Sequence, residues 1–191
     1  MATINLRDRQ IHAKIVYYGP GLSGKTSNLV NIHRRMPAAT RSSIRSIATE
    51  EERTLFFDFV PVEPILVGGW DVRFHLYSVP GQEHYLRTRR AILGGADGIV
   101  FVADADRARL TANLASASEL DTHLEYYGHT LADLPVIFQY NKMDLAAAMP
   151  LSKLDEVLNP SGLPHFEAIA TRGNGVAETV RAISKLVAQR L

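Results

Sequence analysis

The sequence predicts an α/β fold, a mostly parallel sheet with one antiparallel strand and helices on both faces. Three observations predict it. Strand-like and helix-like segments alternate along the chain. Two late runs are almost wholly apolar, as strands covered on both sides are. One earlier pair of strands is joined tightly enough to form a hairpin. At 191 residues the expectation is one domain spanning 1–191, with no repeat and no low-complexity linker.

The elements follow in order. Ile11 to Tyr18 is rich in β-branched and aromatic residues and stops at Gly19, so it reads as a strand. Thr26 to Met36 reads as a helix stopped before Pro37, and residues 38–54 read as polar and irregular. Leu55–Val60 is a second strand. The Gly68-Gly69 turn leads into a third, Val72–Tyr77, whose clean alternation lets it pair back on the second. Gly98–Ala103 and Pro135–Tyr140 are the two apolar runs. Between them Leu110, Leu114, Ala117, Leu124 and Tyr127 mark a long amphipathic helix. A strand near Phe166–Ala170 and a helix with Val176, Val180, Ile183 and Val187 on one stripe close the chain. Ligands in such sheets bind beyond the carboxyl ends of the strands.

Composition narrows the function. Net charge is +1, which gives no electrostatic case for nucleic-acid binding. Cysteine is absent, so disulfides, thiol catalysis and cysteine-held metals are excluded. The first residues show no signal-peptide pattern, position two is not the glycine that myristoylation needs, and the last residues lack a prenylation cysteine. The expectation is a cytoplasmic protein with no direct membrane anchor.

Gly19-Pro20-Gly21-Leu22-Ser23-Gly24-Lys25-Thr26 follows a strand and opens a helix. It satisfies both G-x-G-x-x-G and G-x-x-x-x-G-K-T. Both patterns let backbone N–H groups approach phosphate at a helix N-terminus. Lys25 and Thr26 decide for the second, the P-loop. An ammonium suits β- and γ-phosphates and a hydroxyl suits Mg²⁺, and a dinucleotide site needs neither. Asn141-Lys142-Met143-Asp144 ends the second apolar strand. A carboxylate at Asp144 accepts from the N1–H and N2–H₂ edge of guanine, which adenine lacks, and such a site can reject the wrong base by about 10⁴-fold. Asn141 ties this loop to the phosphate loop, the Lys142 stem covers the base, and a backbone N–H near Ala170 faces guanine O6. The expected ligands are GTP and GDP with Mg²⁺, and a small-molecule kinase would leave Asn141–Asp144 unexplained.

Val79-Pro80-Gly81-Gln82 occupies the place of the D-x-x-G-Q segment of small GTPases. Gly81 donates its N–H to the γ-phosphate and Gln82 orients the attacking water. Ser78 stands where an aspartate usually supports Mg²⁺, so either Ser78 or Asp58 on the neighbouring strand serves. Thr54, with Thr49 second, is the candidate to sense Mg²⁺ and γ-phosphate. Arg53 is either an arginine finger in cis or a partner of the nearby glutamates. The expectation is a hydrolysing GTP/GDP switch, and the alternative is a GTP-binding scaffold with little turnover.

The runs Lys14–Thr26, Arg53–Phe59, Arg73–Tyr77, Val79–Gln82 and Asp97–Asp104 carry a resemblance. Y-Y-G-P-G-L and R-T-L-F-F-D-F are far more specific than a P-loop alone. On these residues the chain resembles the MglA family of bacterial Ras-like GTPases of gliding motility and cell polarity. The resemblance implies a small-GTPase (Ras-like) fold and slow hydrolysis alone. It implies stimulation by a homodimeric roadblock-fold activator, MglB, that reshapes the switches, with the finger at Arg53 and the glutamine at Gln82. It also implies polarity or motility effectors and recruitment of the GTP form to a cell pole. Glu83-His84-Tyr85 and residues 105–130 and 145–165 depart from the family, which bears on the partner surface and not on the nucleotide residues.

Overall fold

The computed structural model describes residues 2–38, 45–48, 53–59, 65–81 and 85–191, with the backbone alone in 45–48 and 53–59. The strands are β1 (Thr3–Asn5), β2 (Gln10–Tyr18), β3 (Arg45–Ala48), β4 (Arg53–Phe59), β5 (Leu66–Val67), β6 (Trp70–Ser78), β7 (Gly98–Asp104), β8 (Val136–Asn141) and β9 (His165–Ala168). The helices are α1 (Lys25–Arg35), α2 (Leu86–Leu93), α3 (Leu110–Tyr126), α4 (Leu151–Leu158) and α5 (Val176–Ala188). The sheet runs β3-β4-β6-β2-β7-β8-β9. From β6 to β9 every neighbouring pair is parallel. The expected antiparallel strand is β4, with Phe56 opposite Tyr77 and Phe59 opposite Phe74.

Three short strands extend this frame. β3 pairs antiparallel with β4, β1 with β2, and β5 with β6 across the Gly68-Gly69 turn. Residues 45–48 fall in the stretch read as irregular. An edge ladder is made by backbone groups, and its residues need not alternate to form it. For the same reason the strand containing Arg53 and Thr54 starts two residues earlier than the apolar pattern suggests.

Helices α2 and α4 were not legible. Each has eight residues and only two buried positions, and in α2 one of these is Arg89. Eight residues make only about two turns, too few for the period to stand out, and in α2 a charge also breaks the inner stripe. Helix α3 is where the sequence places it, but rolled. Leu114 and Tyr127 lie 42% and 39% exposed, and Asn113, Ser116, Leu120, His123 and Leu124 face inward.

Alternation along β2, β7 and β8 feeds two cores. Ile15, Tyr17, Val100, Val102 and Ile137 pack under α1 and α5 against Leu29, Ile32, Val180, Ile183 and Val187. Val16, Tyr18, Ile99, Phe101, Val136 and Phe138 pack under α2, α3 and α4 against Leu93, Leu120, Leu124, Leu154 and Leu158. The two apolar runs are apolar because both of their faces are used. Their carboxyl ends deliver Asp104 and Asn141 to the same rim of the sheet as the loop after β2.

Candidate functional site

Residues 19–26 join β2 to α1, and Gly19 and Gly24 hold φ of 139° and 101°. Glycine is required at both, because a Cβ on Gly19 would collide with the Val102 carbonyl and one on Gly24 with the Asn141 amide. Leu22 takes φ 64° with its side chain 82% exposed.

The loop's carbonyls are held by side chains, its own Lys25 and four from outside it. Lys25 Nζ donates to Gly19 O at 2.9 Å and Pro20 O at 2.6 Å. Arg89 of α2 reaches Gly19 O at 3.4 Å, and Arg109 donates to Gly21 O at 2.9 Å. Asn141 Nδ2 donates to Ser23 O at 2.8 Å, and Asn28 Nδ2 to Gly24 O at 3.1 Å. With these carbonyls held, the loop leads into the N-terminus of α1, the nest-like setting in which backbone N–H groups and the helix dipole favour an anion. Thr26 is exposed at the same helix start, and Lys25 beside it is 5% exposed. The Ser23 hydroxyl is buried and forms no hydrogen bond among the described residues.

Gly81 closes one side of the nest. A Cβ on it would lie 2.7 Å from Gly21 N and 3.1 Å from Lys25 Nζ, and a Cβ on Gly21 would lie 3.2 Å from Gly81 O. Ser78, at the end of β6, is fully buried. Ser78 and Asp58 are the two residues that the sequence offers for support of the ion. Asp58 pairs with His75 across β4 and β6, and Arg53 and Thr54 begin β4 opposite Ala48 and Ile47. The side chains of Arg53, Thr54 and Asp58, and all of Thr49 and Gln82, lie outside the described residues.

The second loop is stitched to the first. Asn141, 2% exposed, donates to Ser23 O and accepts from Ala170 N at 2.9 Å. The Ala170 N–H, expected to face guanine O6, is therefore given to Asn141 Oδ1, because the amide sits between the two loops and satisfies both. Lys142 has φ 68° and donates to Asp104 Oδ2 at 2.6 Å. Asp144 is partly exposed, with Arg172 Nη2 3.4 Å from its Oδ2. The loop bearing Asn141-Lys142-Met143-Asp144 and the loop 19–26 thus share one rim of the sheet.

Four residues escaped the sequence reading: Arg89, Asp104, Arg109 and Arg172. Arginines whose partners are distant in the chain leave no local pattern, and Asp104 showed only as the last residue of the run Asp97–Asp104 that carries the resemblance. Arg89 is 2% exposed. It pairs with Glu119 at 3.0 Å, donates to Ser116 Oγ at 2.9 Å and lies 4.6 Å over the Tyr18 ring. Tyr18 donates to Glu119 Oε1 at 2.9 Å and meets His123 Nδ1 at 2.9 Å. Burial pushes the Tyr18 hydroxyl well above its usual range and pulls the His123 imidazole below its own.

The ADP-ribosylation factor family model matches residues 2–187. The chain is 44% identical over 191 residues to the mutual gliding-motility protein MglA of Myxococcus xanthus, covering 100% of this chain and 98% of that protein. It is 32% identical over 148 residues to elongation factor 4 of Thermus thermophilus, covering 76% of this chain and 23% of that protein. It is 34% identical over 99 residues to GTPase Obg of Prochlorococcus marinus, covering 44% of this chain and 30% of that protein.

Proposed function

Since the chain belongs to the ADP-ribosylation factor family of small GTPases, we propose that it is a GTP/GDP switch of gliding motility and cell polarity. The observation that carries the site assignment is the loop 19–26 at the start of α1, its carbonyls held by side chains and stitched by Asn141 to the loop bearing Asp144. Gly19, Gly21, Leu22, Ser23, Gly24 and Lys25 cradle the α- and β-phosphates. Lys25 and the Gly81 N–H meet the γ-phosphate, which the closeness of Gly81 to Lys25 supports. Asp144 selects guanine, the Lys142 stem covers it, and Ala170 reaches O6 by sharing the N–H that it gives to Asn141.

The Thr26 hydroxyl, exposed beside Lys25, fits Mg²⁺, which takes one or two protein oxygens and completes its shell from phosphate and water. Thr26, Thr54 and Asp58 would hold the ion, which neutralises charge on the phosphates. Phosphoryl transfer asks the protein for positioning more than for covalent chemistry. Gln82 orients the water, and Arg53 stabilises charge on the transferring group from within the chain. The 44% identity to a mutual gliding-motility protein supports the process. A homodimeric roadblock-fold activator would accelerate turnover by ordering Gln82 and Arg53, and effectors would bring the GTP form to a pole. No helix among the described residues is long and apolar enough to cross a membrane, which suits a cytoplasmic protein recruited by partners.

The test is to denature purified protein and identify the released nucleotide. GDP or GTP is expected, and ATP competing equally for the refilled site would overturn the assignment. Asp144→Asn exchanges an acceptor for a donor. It should lose guanine nucleotides and gain xanthine nucleotides, whose C2 carbonyl accepts.

A further inference from the structure

Asp104 is the last residue of β7, and its carboxylate is 1% exposed. Nothing about its surroundings leaves it room to move. Its backbone N–H donates to Asn113 Oδ1 at 3.0 Å, and its carbonyl accepts from Asn113 Nδ2 at 2.8 Å. One amide of α3 thus grips both sides of the residue. Oδ1 accepts the Asp106 N–H at 3.1 Å. Oδ2 is left for cations. Lys142 Nζ lies 2.6 Å from it, and Arg109 Nε lies 4.0 Å from it.

Each cation leads to a different half of the nucleotide site. Arg109 continues through Nη2 to Gly21 O in the phosphate loop. Lys142 belongs to the loop that reads the base and holds a left-handed backbone, which is strained for an L-residue and persists only where the surroundings enforce it. The ion pair with a fixed, buried carboxylate supplies that enforcement. Removing the charge would take from Lys142 its ion-pair partner and leave Arg109 held by Gly21 O alone.

We propose that Asp104 is a positioning residue that couples the phosphate loop to the base-reading loop, through Arg109 on one side and Lys142 on the other. It acts on guanine-nucleotide retention without touching the nucleotide. The inference rests on the site assignment above.

The experiment measures release of a fluorescent GDP from the purified protein, its Asp104→Asn and Arg109→Gln variants, and the double variant. Asp104→Asn keeps the shape and the acceptor for Asp106. Arg109 is 38% exposed, so its loss leaves the core intact. Each single variant should release GDP about tenfold faster. The double should be no faster than the quicker single, because residues in one network are not additive. Melting temperature is read alongside. A merely structural role would speed release in step with lost stability, and the two changes would multiply. Multiplying effects or unchanged release in both singles would overturn the proposal while leaving the nucleotide assignment standing. If the unsubstituted protein holds no guanine nucleotide, the assignment itself falls, and this proposal with it. Should Asp104→Asn not fold, Arg109→Gln with Lys142→Met runs the same cycle: non-additive release supports the coupling, multiplying release refutes it.

Discussion

On the α1/α5 face of the sheet, the polar groups that enter the core form a neutral network. Asn28 donates to Gln139 Oε1 at 2.7 Å, Gln139 donates to Thr179 Oγ1 at 2.9 Å, and Thr179 turns back to Gly175 O. On the α2/α3 face they carry charge: Arg89, Glu119, Tyr18 and His123, with Arg89 reaching the phosphate loop. Both faces are well packed. They differ in what happens when one member is lost. A neutral amide costs a hydrogen bond, whereas an arginine leaves an uncompensated carboxylate in a place water reaches poorly. The charged face also carries the helix that follows Val79–Gln82, so placement of α2 depends on electrostatics and placement of α1 and α5 on apolar contact.

The comparison breaks or sharpens under four substitutions. The largest effect is expected from Arg89→Ala, about 4 kcal/mol by urea unfolding, since it opens a cavity and takes from Glu119 its arginine partner, leaving the Tyr18 hydroxyl to hold a poorly hydrated carboxylate. The double replacement Arg89→Met with Glu119→Leu should recover most of that loss, because apolar pairs often replace buried ion pairs without cost. Failure to recover would mean that the network sets stability as well as placement. On the other face Ile183→Ala should cost about 3 kcal/mol through cavity formation alone, with no dependence on salt.

A smaller difference lies in acid. Burial, assisted by Arg89 and Arg90 and opposed by Glu119, holds the His123 imidazole below its ordinary 6.5. The unfolded chain therefore takes the proton first. Stability from His123 is complete above about pH 6.5 and is lost as pH falls from there toward the folded value. Melting temperature against pH should show this limb in the native protein and lose it in His123→Gln. Persistence in the variant would assign the limb elsewhere. The smallest effect is a gain. The Tyr17 hydroxyl, under α1 and α5, is buried with no hydrogen bond among the described residues, so Tyr17→Phe should add about 1 kcal/mol.

The same division explains what could be read in advance. Strands β2, β7 and β8 announced themselves because both of their sides are apolar, and α5 because its stripe of Val176, Val180, Ile183 and Val187 is unbroken. The loops 19–26 and 141–144 stood out because two sequence patterns mark them, and the geometry shows why those residues are needed there: glycines where a Cβ collides, an amide at Asn141 that both donates and accepts. Hidden were the features in which polarity turns inward. Helix α2 presents Arg89 to the core, α3 presents Asn113, Ser116 and His123, and a hydrophobic period is blind to both. Arg109 was invisible for another reason: its partner is a carbonyl that any residue could have supplied.

Gly21 and Gly81 cannot drift independently over generations. They lie in separate segments, yet a methyl group on either crowds the backbone of the other. Since glycine has no smaller replacement, neither position offers a second change that rescues the first. A saturation library of this chain should therefore show two intolerant columns whose pairwise combinations never do better than the singles, a signature of touching main chains rather than of matched side chains.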